Sequence, residues 1–166
     1  MRFAFLAWAK SFTLLVNGEE SSTQLVNGYV YVTRKWQEHD QVQLQFPMET
    51  EILFAHPDLR ENAGKVALQR GPVVYCLEQI DNGEALSSLS IDCSQPIEAS
   101  FESDLLNGIM VLKGKALRTE VADSSKQSLY LTSGELKRQE TSFKAIPYYA
   151  WANRGVGEMV VWMAYK

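Results

Sequence analysis

The apolar residues of this chain recur at every second position over most of its length, and this period constrains the fold more than any other feature. Residues 41–46 are the clearest case, because Val42, Leu44 and Phe46 alternate with three glutamines. Successive side chains of a β-strand point to opposite faces, so these three apolar residues face a core while the glutamines face water. The pattern predicts a strand that is covered on one side only.

Residues 72–77 form instead a nearly continuous apolar run. Such a run is typical of a strand that is buried on both faces, and we expect Val73, Tyr75 and Leu77 to point into a core. About ten strand-like segments follow one another along the chain, separated by turn-forming residues. Together they predict an all-β fold, and more specifically an antiparallel β-sandwich.

Asparagine–glycine pairs mark the sharpest turns. Asn17-Gly18 and Asn27-Gly28 supply the positive φ angles that two-residue hairpin loops require. The polar residues 38–40 separate the strand-like residues 29–36 from residues 41–46, and this spacing predicts a further hairpin.

The length of 166 residues suits one compact domain or two small sandwich lobes. We expect residues 1–166 to form one β-sandwich region, in which any boundary between lobes falls near 57–64. Residues 2–9 resemble a short signal segment, but Lys10 and Ser11 interrupt the apolar run, so a first strand is the favoured interpretation. The expected location is therefore cytoplasmic.

Charge and hydropathy exclude several classes of partner. The net charge is −4 and the basic residues are scattered, so the chain lacks the basic patch of a nucleic-acid-binding protein. No apolar run reaches the roughly 18–20 residues that a membrane-spanning helix needs. We expect neither nucleic acid nor a membrane as a partner.

Few residues in the chain are candidates for catalysis or metal binding. The two cysteines, Cys76 and Cys93, and the two histidines, His39 and His56, do not form a zinc-like cluster, so we expect no metal and no cofactor. Cys76 lies among apolar residues and Cys93 beside an aspartate, and both settings raise a thiol pKa. Glu78 ends the buried strand, where facing solvent or pairing with an arginine is a better interpretation than general acid catalysis. The expected catalytic set is empty.

The aromatic segment 147–155 offers the remaining functional signal. Tyr148, Tyr149 and Trp151 form a candidate carbohydrate platform, because sugars stack on exposed aromatic rings. In a strand, Tyr149 and Trp151 share one face and Tyr148 lies on the other. Packing in a core or against another domain is therefore favoured over sugar binding.

Two sequence blocks carry a family resemblance: Arg-Gly-Pro-Val-Val-Tyr at 70–75, followed by Glu78, and Pro-Tyr-Tyr-Ala-Trp-Ala-Asn-Arg-Gly at 147–155. With Trp8-Ala9 and Val16-Asn17-Gly18 in the same order, the chain resembles the C-terminal β-sandwich region of glycoside hydrolase family 127, the β-L-arabinofuranosidase-like enzymes. The chain departs from the family pattern at residues 5–7, where an Arg-Ile-Pro-like strand is usual.

The resemblance implies where the chemistry of such an enzyme lies. In that family an (α/α)6 barrel precedes the sandwich region and holds a zinc-bound cysteine nucleophile, and none of its ligand positions falls in the part matched by this chain. Cys76 and Cys93 therefore inherit no catalytic or metal role. The implied function is a non-catalytic β-sandwich domain that supports a catalytic barrel, in a parent or a neighbouring chain, or an oligomer interface.

Two alternative functions and an oligomeric state are also predicted. The alternative function is an autonomous carbohydrate-binding module that uses Tyr148, Tyr149 and Trp151. A small hydrolase built on Glu78 and a second carboxylate is a minority option. A domain without its barrel exposes apolar surface, so we expect a homo-oligomer, with Trp8, Phe12 or Trp162 near the contact.

Overall fold

The computed structural model describes residues 2–4, 8–121 and 129–166, except for the side chains of Ala4 and Ser133. The chain divides into two compact units, Met1–Glu49 and Thr50–Lys166. The sequence departure at 5–7 lies outside the described residues, and so do the polar residues 123–127, whose composition predicts an exposed loop. The predicted lobe boundary near 57–64 differs from this division, because that segment connects two paired strands of the second unit.

The described residues of the first unit form six strands: β1 (Arg2–Ala4), β2 (Thr13–Val16), β3 (Glu19–Glu20), β4 (Gln24–Val26), β5 (Tyr29–Tyr31) and β6 (Val42–Gln45). Those of the second unit form nine: β7 (Thr50–Phe54), β8 (Lys65–Arg70), β9 (Val73–Glu78), β10 (Leu89–Ile91), β11 (Glu98–Glu102), β12 (Ile109–Val121), β13 (Leu136–Pro147), β14 (Met159–Val160) and β15 (Met163–Tyr165). The described part of the second unit also contains the single turn α1 (Gln79–Asn82) and 3₁₀ turns at Arg60–Asn62, Leu86–Ser88, Ser133–Glu135 and Tyr148–Ala150. None of the helices in the described ranges is long and apolar enough to cross a membrane.

In the first unit, two three-stranded antiparallel sheets, β1-β5-β4 and β3-β2-β6, share a small core. Its buried residues are Leu14, Val16, Val30 and Val32. Val42 and Leu44 of β6 pack against this core, as their alternation predicts. Phe46 is half-buried, and its ring contacts that of Trp8 at a centroid distance of 5.3 Å.

The two asparagine–glycine hairpins are confirmed. Asn17 and Gly18 have φ angles of 56° and 84°, and Asn27 and Gly28 have φ angles of 49° and 76°. Each pair forms the two-residue loop of an antiparallel hairpin, β2–β3 in the first case and β4–β5 in the second. Positive φ at both loop residues is what a type I′ turn requires.

The hairpin predicted around residues 38–40 is wrong. A turn is present there, but β5 pairs with β1 and β4, whereas β6 pairs with β2. Asp40 explains the different course, because its carboxylate accepts hydrogen bonds from the Gln37 backbone and from Asn17 Nδ2. These bonds tie the turn to the β2–β3 loop, so the chain passes from one sheet to the other.

In the second unit the sheet closes on itself. The strands β9, β13, β12, β10, β15 and β8 are neighbours in that order, and β8 pairs again with β9 to complete a six-stranded, barrel-like ring. All these pairings are antiparallel except that between β10 and β15. The all-β prediction is confirmed. The ring differs from two open, facing sheets because β15 lies between β10 and β8 and joins their edges.

Buried side chains from several strands of the ring form its core, including Tyr75, Leu77, Leu112 and Phe143. A second cluster contains Cys76, Ile146 and other residues on the opposite face of β9 and β13. β9 is therefore covered on both faces from Tyr75 onward, as its continuous apolar run predicts. Val73 packs against the first cluster from a partly buried position.

Candidate functional site

The site begins where β9 ends, at Glu78. This carboxylate continues a buried strand, and only 7% of its side chain is exposed. Its Oε1 accepts a hydrogen bond from the Ala152 backbone N–H at 2.9 Å. Its Oε2 accepts from Arg154 Nη2 at 2.5 Å and from Arg154 Nε at 3.2 Å. Both oxygens therefore have hydrogen-bond partners. Of the two interpretations of this residue, facing solvent or pairing with an arginine, the structure shows the second.

Arg154 joins Glu78 to a second carboxylate. Asp81 in α1 accepts hydrogen bonds from Arg154 Nη1, at 3.1 Å, and from Arg154 Nη2. The hydrogen bonds that Arg154 donates to Asp81 and to Glu78 raise the pKa of Arg154, against the opposing effect of burial. The three side chains form a nearly buried ion cluster that pins the segment after residue 150 onto the junction of β9 and α1.

Further charges of alternating sign extend this cluster. Lys144 Nζ lies 3.4 Å from Asp81 Oδ1 and donates to Glu102 Oε2 at 2.8 Å, and Lys113 Nζ lies 2.6 Å from Glu102 Oε1. Hydrogen bonds from Lys113 and Lys144 lower the pKa of Glu102. The buried Asn82 side chain holds the same region together, because it bonds the backbone N–H and C=O of Lys144 and the C=O of Glu78.

The segment after β13 is a 3₁₀ turn and not a strand. Pro147 ends the ladder opposite Tyr75, and Tyr148–Ala150 then turn. Residues three apart overlie each other in a 3₁₀ turn, so the rings of Tyr148 and Trp151 stack, with centroids 6.0 Å apart and planes 18° apart. The predicted strand alternation of Tyr148, Tyr149 and Trp151 is therefore wrong.

The three candidate sugar-binding aromatics all reach the surface. The exposed fractions are 46% for Tyr148, 70% for Tyr149 and 42% for Trp151. These rings do not belong to either core cluster of the second unit. All three rings are therefore accessible from outside the second unit.

Trp151 lines a cleft of about 260 Å³ between α1 and residues 154–158. Ile80, exposed to 62%, and the fully exposed Val156 form an apolar rim beside the indole ring. Glu78 and Arg154 also line the cleft, but their charges are already paired with each other. The cleft therefore combines an aromatic and apolar rim with the paired charges of Glu78 and Arg154, and the carboxylates of Glu84 and Glu158 also line it.

The other candidate residues lie apart from the cleft. Cys76 is fully buried, and burial raises its thiol pKa to about 12; burial, and then the neighbouring Asp92, raise the pKa of Cys93. His39 and His56 are both exposed. No group of three or more His, Cys, Asp or Glu side chains suited to a metal ion occurs among the residues that the structure describes.

The sequence pattern points to Glu78 and the aromatic residues, but it does not point to Arg154 and Asp81, which hold them in place. Arg154 lies 76 positions after Glu78 and 73 after Asp81, so no local pattern connects them. The available signal is a charged residue directly after the buried run of β9, because such a residue needs an opposite charge from elsewhere in the fold.

Two family models match this chain in adjoining ranges. Residues 50–164 match the glycoside hydrolase family 127 C-terminal domain. Residues 1–48 match the β-L-arabinofuranosidase, GH127 middle domain. The two ranges correspond closely to the two compact units of the structure.

Individual proteins of known structure or curated function are similar as well. The non-reducing end β-L-arabinofuranosidase of Bifidobacterium longum subsp. longum is 36% identical over 159 residues, which cover 93% of this chain and 24% of that protein. The crystal structure of a GH127 β-L-arabinofuranosidase from Geobacillus stearothermophilus T6 matches with a TM-score of 0.88 and 44% identity, over 99% of this chain and 26% of that one. Another GH127 β-arabinofuranosidase matches with a TM-score of 0.82 and 31% identity, over 94% of this chain and 23% of that one. The chain thus spans about a quarter of the length of these relatives.

Proposed function

This chain belongs to glycoside hydrolase family 127, and from that premise we propose that it is a non-catalytic accessory region that supports the catalytic barrel of a β-L-arabinofuranosidase-like enzyme. The observation that carries the proposal is the aromatic face, defined as Ile80, Tyr148, Tyr149, Trp151 and Val156. All five residues are exposed, and three of them line one cleft. Grouped apolar side chains at a surface are typical of an interaction site.

The aromatic face is rigid, which suits a permanent partner better than a transient one. The Glu78–Arg154–Asp81 cluster fixes the segment that carries Trp151, and Tyr148 fixes the plane of the indole ring. A surface that is already ordered loses little conformational entropy on binding. The cluster therefore positions the face, and its carboxylates are held away from any role as acid and base.

An activity assay tests the non-catalytic part of the proposal. The purified chain is expected to show no turnover of an aryl β-L-arabinofuranoside. Turnover that co-purifies with the chain and disappears in Glu78→Gln, with an unchanged circular dichroism spectrum, would support the hydrolase built on Glu78 instead.

A binding assay tests the supporting role. The chain is mixed with the barrel region of a GH127 relative, and association is measured by calorimetry. Tyr149→Ser and Trp151→Ser are expected to weaken association at least about ten-fold, since exposed aromatics dominate such contacts. Leu129→Ser is the matched control, because Leu129 is 94% exposed and lies outside the aromatic face. Equal effects of all three substitutions would contradict the role of the face.

The second candidate function is carbohydrate binding. It is favoured by one observation: the Trp151 indole lines the cleft while Tyr148 stacks on the same ring and holds it in place. Titration with L-arabinofuranosyl oligosaccharides is then expected to shift the tryptophan emission of the chain, and Trp151→Phe is expected to abolish the shift. Trp36→Phe serves as the control, because Trp36 belongs to the first unit. An unchanged emission at millimolar sugar excludes this function.

Self-association is a further part of the proposal. Trp8, Phe12 and Trp162, the residues predicted near the contact, are each half-buried. Light scattering at micromolar concentration is expected to give a mass above that of a monomer. A monomeric mass that does not change on concentrating the sample contradicts this prediction.

A further inference from the structure

Four asparagine–glycine pairs occur in this chain: Asn17-Gly18, Asn27-Gly28, Asn82-Gly83 and Asn107-Gly108. Such pairs can undergo a spontaneous reaction that needs only water. The glycine backbone nitrogen attacks the asparagine Cγ and loses its proton, a new C–N bond forms, and the side-chain nitrogen leaves as ammonia. Water then opens the cyclic imide, giving aspartate or isoaspartate. Whether a given pair reacts depends on the freedom of the side-chain amide and of the glycine nitrogen.

Two of the pairs form an internal comparison. Asn17-Gly18 and Asn27-Gly28 are both two-residue hairpin loops, with φ angles of 56° and 84° in the first and 49° and 76° in the second. All four residues are exposed. A Cβ atom built on Gly18 or Gly28 meets nothing within 4 Å, so both glycines have open surroundings. Backbone conformation, exposure and space are thus alike in the two loops.

The hydrogen bonds of the two asparagine side chains differ. Asn17 Nδ2 donates to Asp40 Oδ1 at 2.8 Å, and Asn17 Oδ1 accepts from the Gln41 backbone N–H at 2.9 Å. Both bonds must break before the Asn17 amide can rotate toward Gly18 and release ammonia. Within the ranges that the structure describes, the Asn27 side chain makes no hydrogen bond and remains free to rotate.

The other two pairs are restrained in different ways. The Asn82 side chain is buried and makes three hydrogen bonds to the backbone of Glu78 and Lys144. The nitrogen of Gly83 donates to the Gln79 carbonyl, and that of Gly108 donates to the Leu105 carbonyl at 2.9 Å. In Asn107-Gly108 the attacking nitrogen is therefore engaged, although the asparagine itself is exposed.

From these differences we infer that Asn27 is a site of spontaneous covalent modification, at which the folded chain converts asparagine to aspartate or isoaspartate. The reaction places a negative charge at the tip of the β4–β5 hairpin. The isoaspartate product also adds a methylene group to the backbone of a two-residue loop. The facing pair Val26 and Tyr29 then loses the spacing that the type I′ turn provides.

The test is peptide mapping by mass spectrometry, on the full chain incubated at slightly alkaline pH in an ammonia-free buffer. Deamidation at Asn27 is expected to be at least about ten-fold faster than at Asn17, because two hydrogen bonds, one of them to a carboxylate, restrain Asn17. In Asp40→Ala the rate at Asn17 is expected to rise to within a few-fold of the rate at Asn27, while the rate at Asn27 is unchanged. In denaturing urea the two sites of the original chain are expected to react at equal rates.

Three results would overturn the inference: equal rates at Asn17 and Asn27 in the folded chain, a faster reaction at Asn82 or Asn107, or a difference that persists in urea. If Asp40→Ala unfolds the first unit, the rate at Asn27 changes together with that at Asn17. The comparison in urea then decides, because it requires no variant.

Discussion

The first unit is built around two short asparagine–glycine hairpins, whereas the ring of the second unit is closed by pairings between strands that are distant in sequence. In Met1–Glu49, two of the four strand pairings that the structure describes are hairpins with two-residue asparagine–glycine loops. In Thr50–Lys166, the ring depends on pairs such as Leu77 with Ala145 and Ser90 with Ala164. The cores differ as well: the first unit has one cluster of four buried residues, and the second unit has two larger clusters.

This difference shows what each unit depends on. Hairpins form between neighbours in sequence and close short loops, so the two hairpins of the first unit form at a small cost in loop-closure entropy. Pairings between distant strands become favourable only when many of them form together. The second unit therefore depends on its closed core and on the buried ions that fix its last segments.

The largest effect is expected from Arg154→Ala. Removing the guanidinium leaves Glu78 nearly buried without a counter-charge and leaves Asp81 with Lys144 at 3.4 Å, and the free energy of unfolding is expected to fall by about 3–5 kcal/mol. Urea denaturation measures this loss. Arg60→Ala, at an exposed position in the same unit, is the control and is expected to change stability by less than about 0.5 kcal/mol. If the two variants are equally stable, the second unit does not rely on its buried ions.

A matched pair of leucines compares the two cores directly. Leu77 and Leu14 are both buried, at 0% and 2% exposure. Replacement of either by alanine is expected to cost about 2–5 kcal/mol, with Leu77 near the upper and Leu14 near the lower end. The reason is that the closed ring cannot collapse around a cavity as readily as a thin core between two small sheets. Hydrogen exchange of β2 and β9 amides assigns each loss to its unit, and a larger loss at Leu14 would reverse the comparison.

A smaller effect is expected where the first unit depends on its turns. Gly28→Ala places a Cβ at a φ of 76°, and the left-handed conformation costs about 1–2 kcal/mol. Gly134→Ala is the control, because Gly134 does not have a positive φ and a Cβ there meets nothing within 4 Å. Thermal unfolding followed by circular dichroism measures both. Equal stability of the two variants would mean that the stability of the first unit does not depend on the conformation of this turn.

The smallest expected effect is on the stability of the fold at acidic pH. Because Lys113 and Lys144 lower the pKa of Glu102 below its ordinary 4.5, this carboxylate stabilises the fold above that pH and loses its contribution as the pH falls. Glu102→Gln is expected to reduce the free energy of unfolding by about 0.5 kcal/mol at neutral pH. The variant is also expected to lose less stability than the original chain as the pH falls. In the first unit, hydrogen bonds from Asn17 and Gln37 lower the pKa of Asp40 in the same sense, so part of the acid sensitivity is expected to remain. An acid titration of stability identical to that of the original chain contradicts the assignment to Glu102.

The sequence predicts best what depends on neighbouring residues. The all-β class, the loops at Asn17-Gly18 and Asn27-Gly28, and the two-sided burial of β9 all follow from local pattern. The prediction of a hairpin at 38–40 was wrong because the hydrogen bond from Asn17 to Asp40 connects this turn to a different sheet.

The less predictable part of the site is set by distant residues. The stacking of Tyr148 and Trp151 depends on Pro147 ending a strand whose partner is β9, and the pairing of Glu78 with Arg154 depends on the whole fold of the second unit. Neither can be read from the alternation of residues along one segment. The sequence identified the aromatic residues, but not the ions that hold them.

The place of β15 in the ring has a consequence for synthesis on the ribosome. Residues 163–165 are the last strand of the unit to be translated, yet they lie between β10 and β8, and Lys166 donates its backbone N–H to Ile91. Until these residues leave the exit tunnel, the nascent chain carries two unsatisfied strand edges that can pair with other chains. The second unit therefore completes its fold after translation of its final strand, whereas the hairpins of the first unit can form while the chain is still growing.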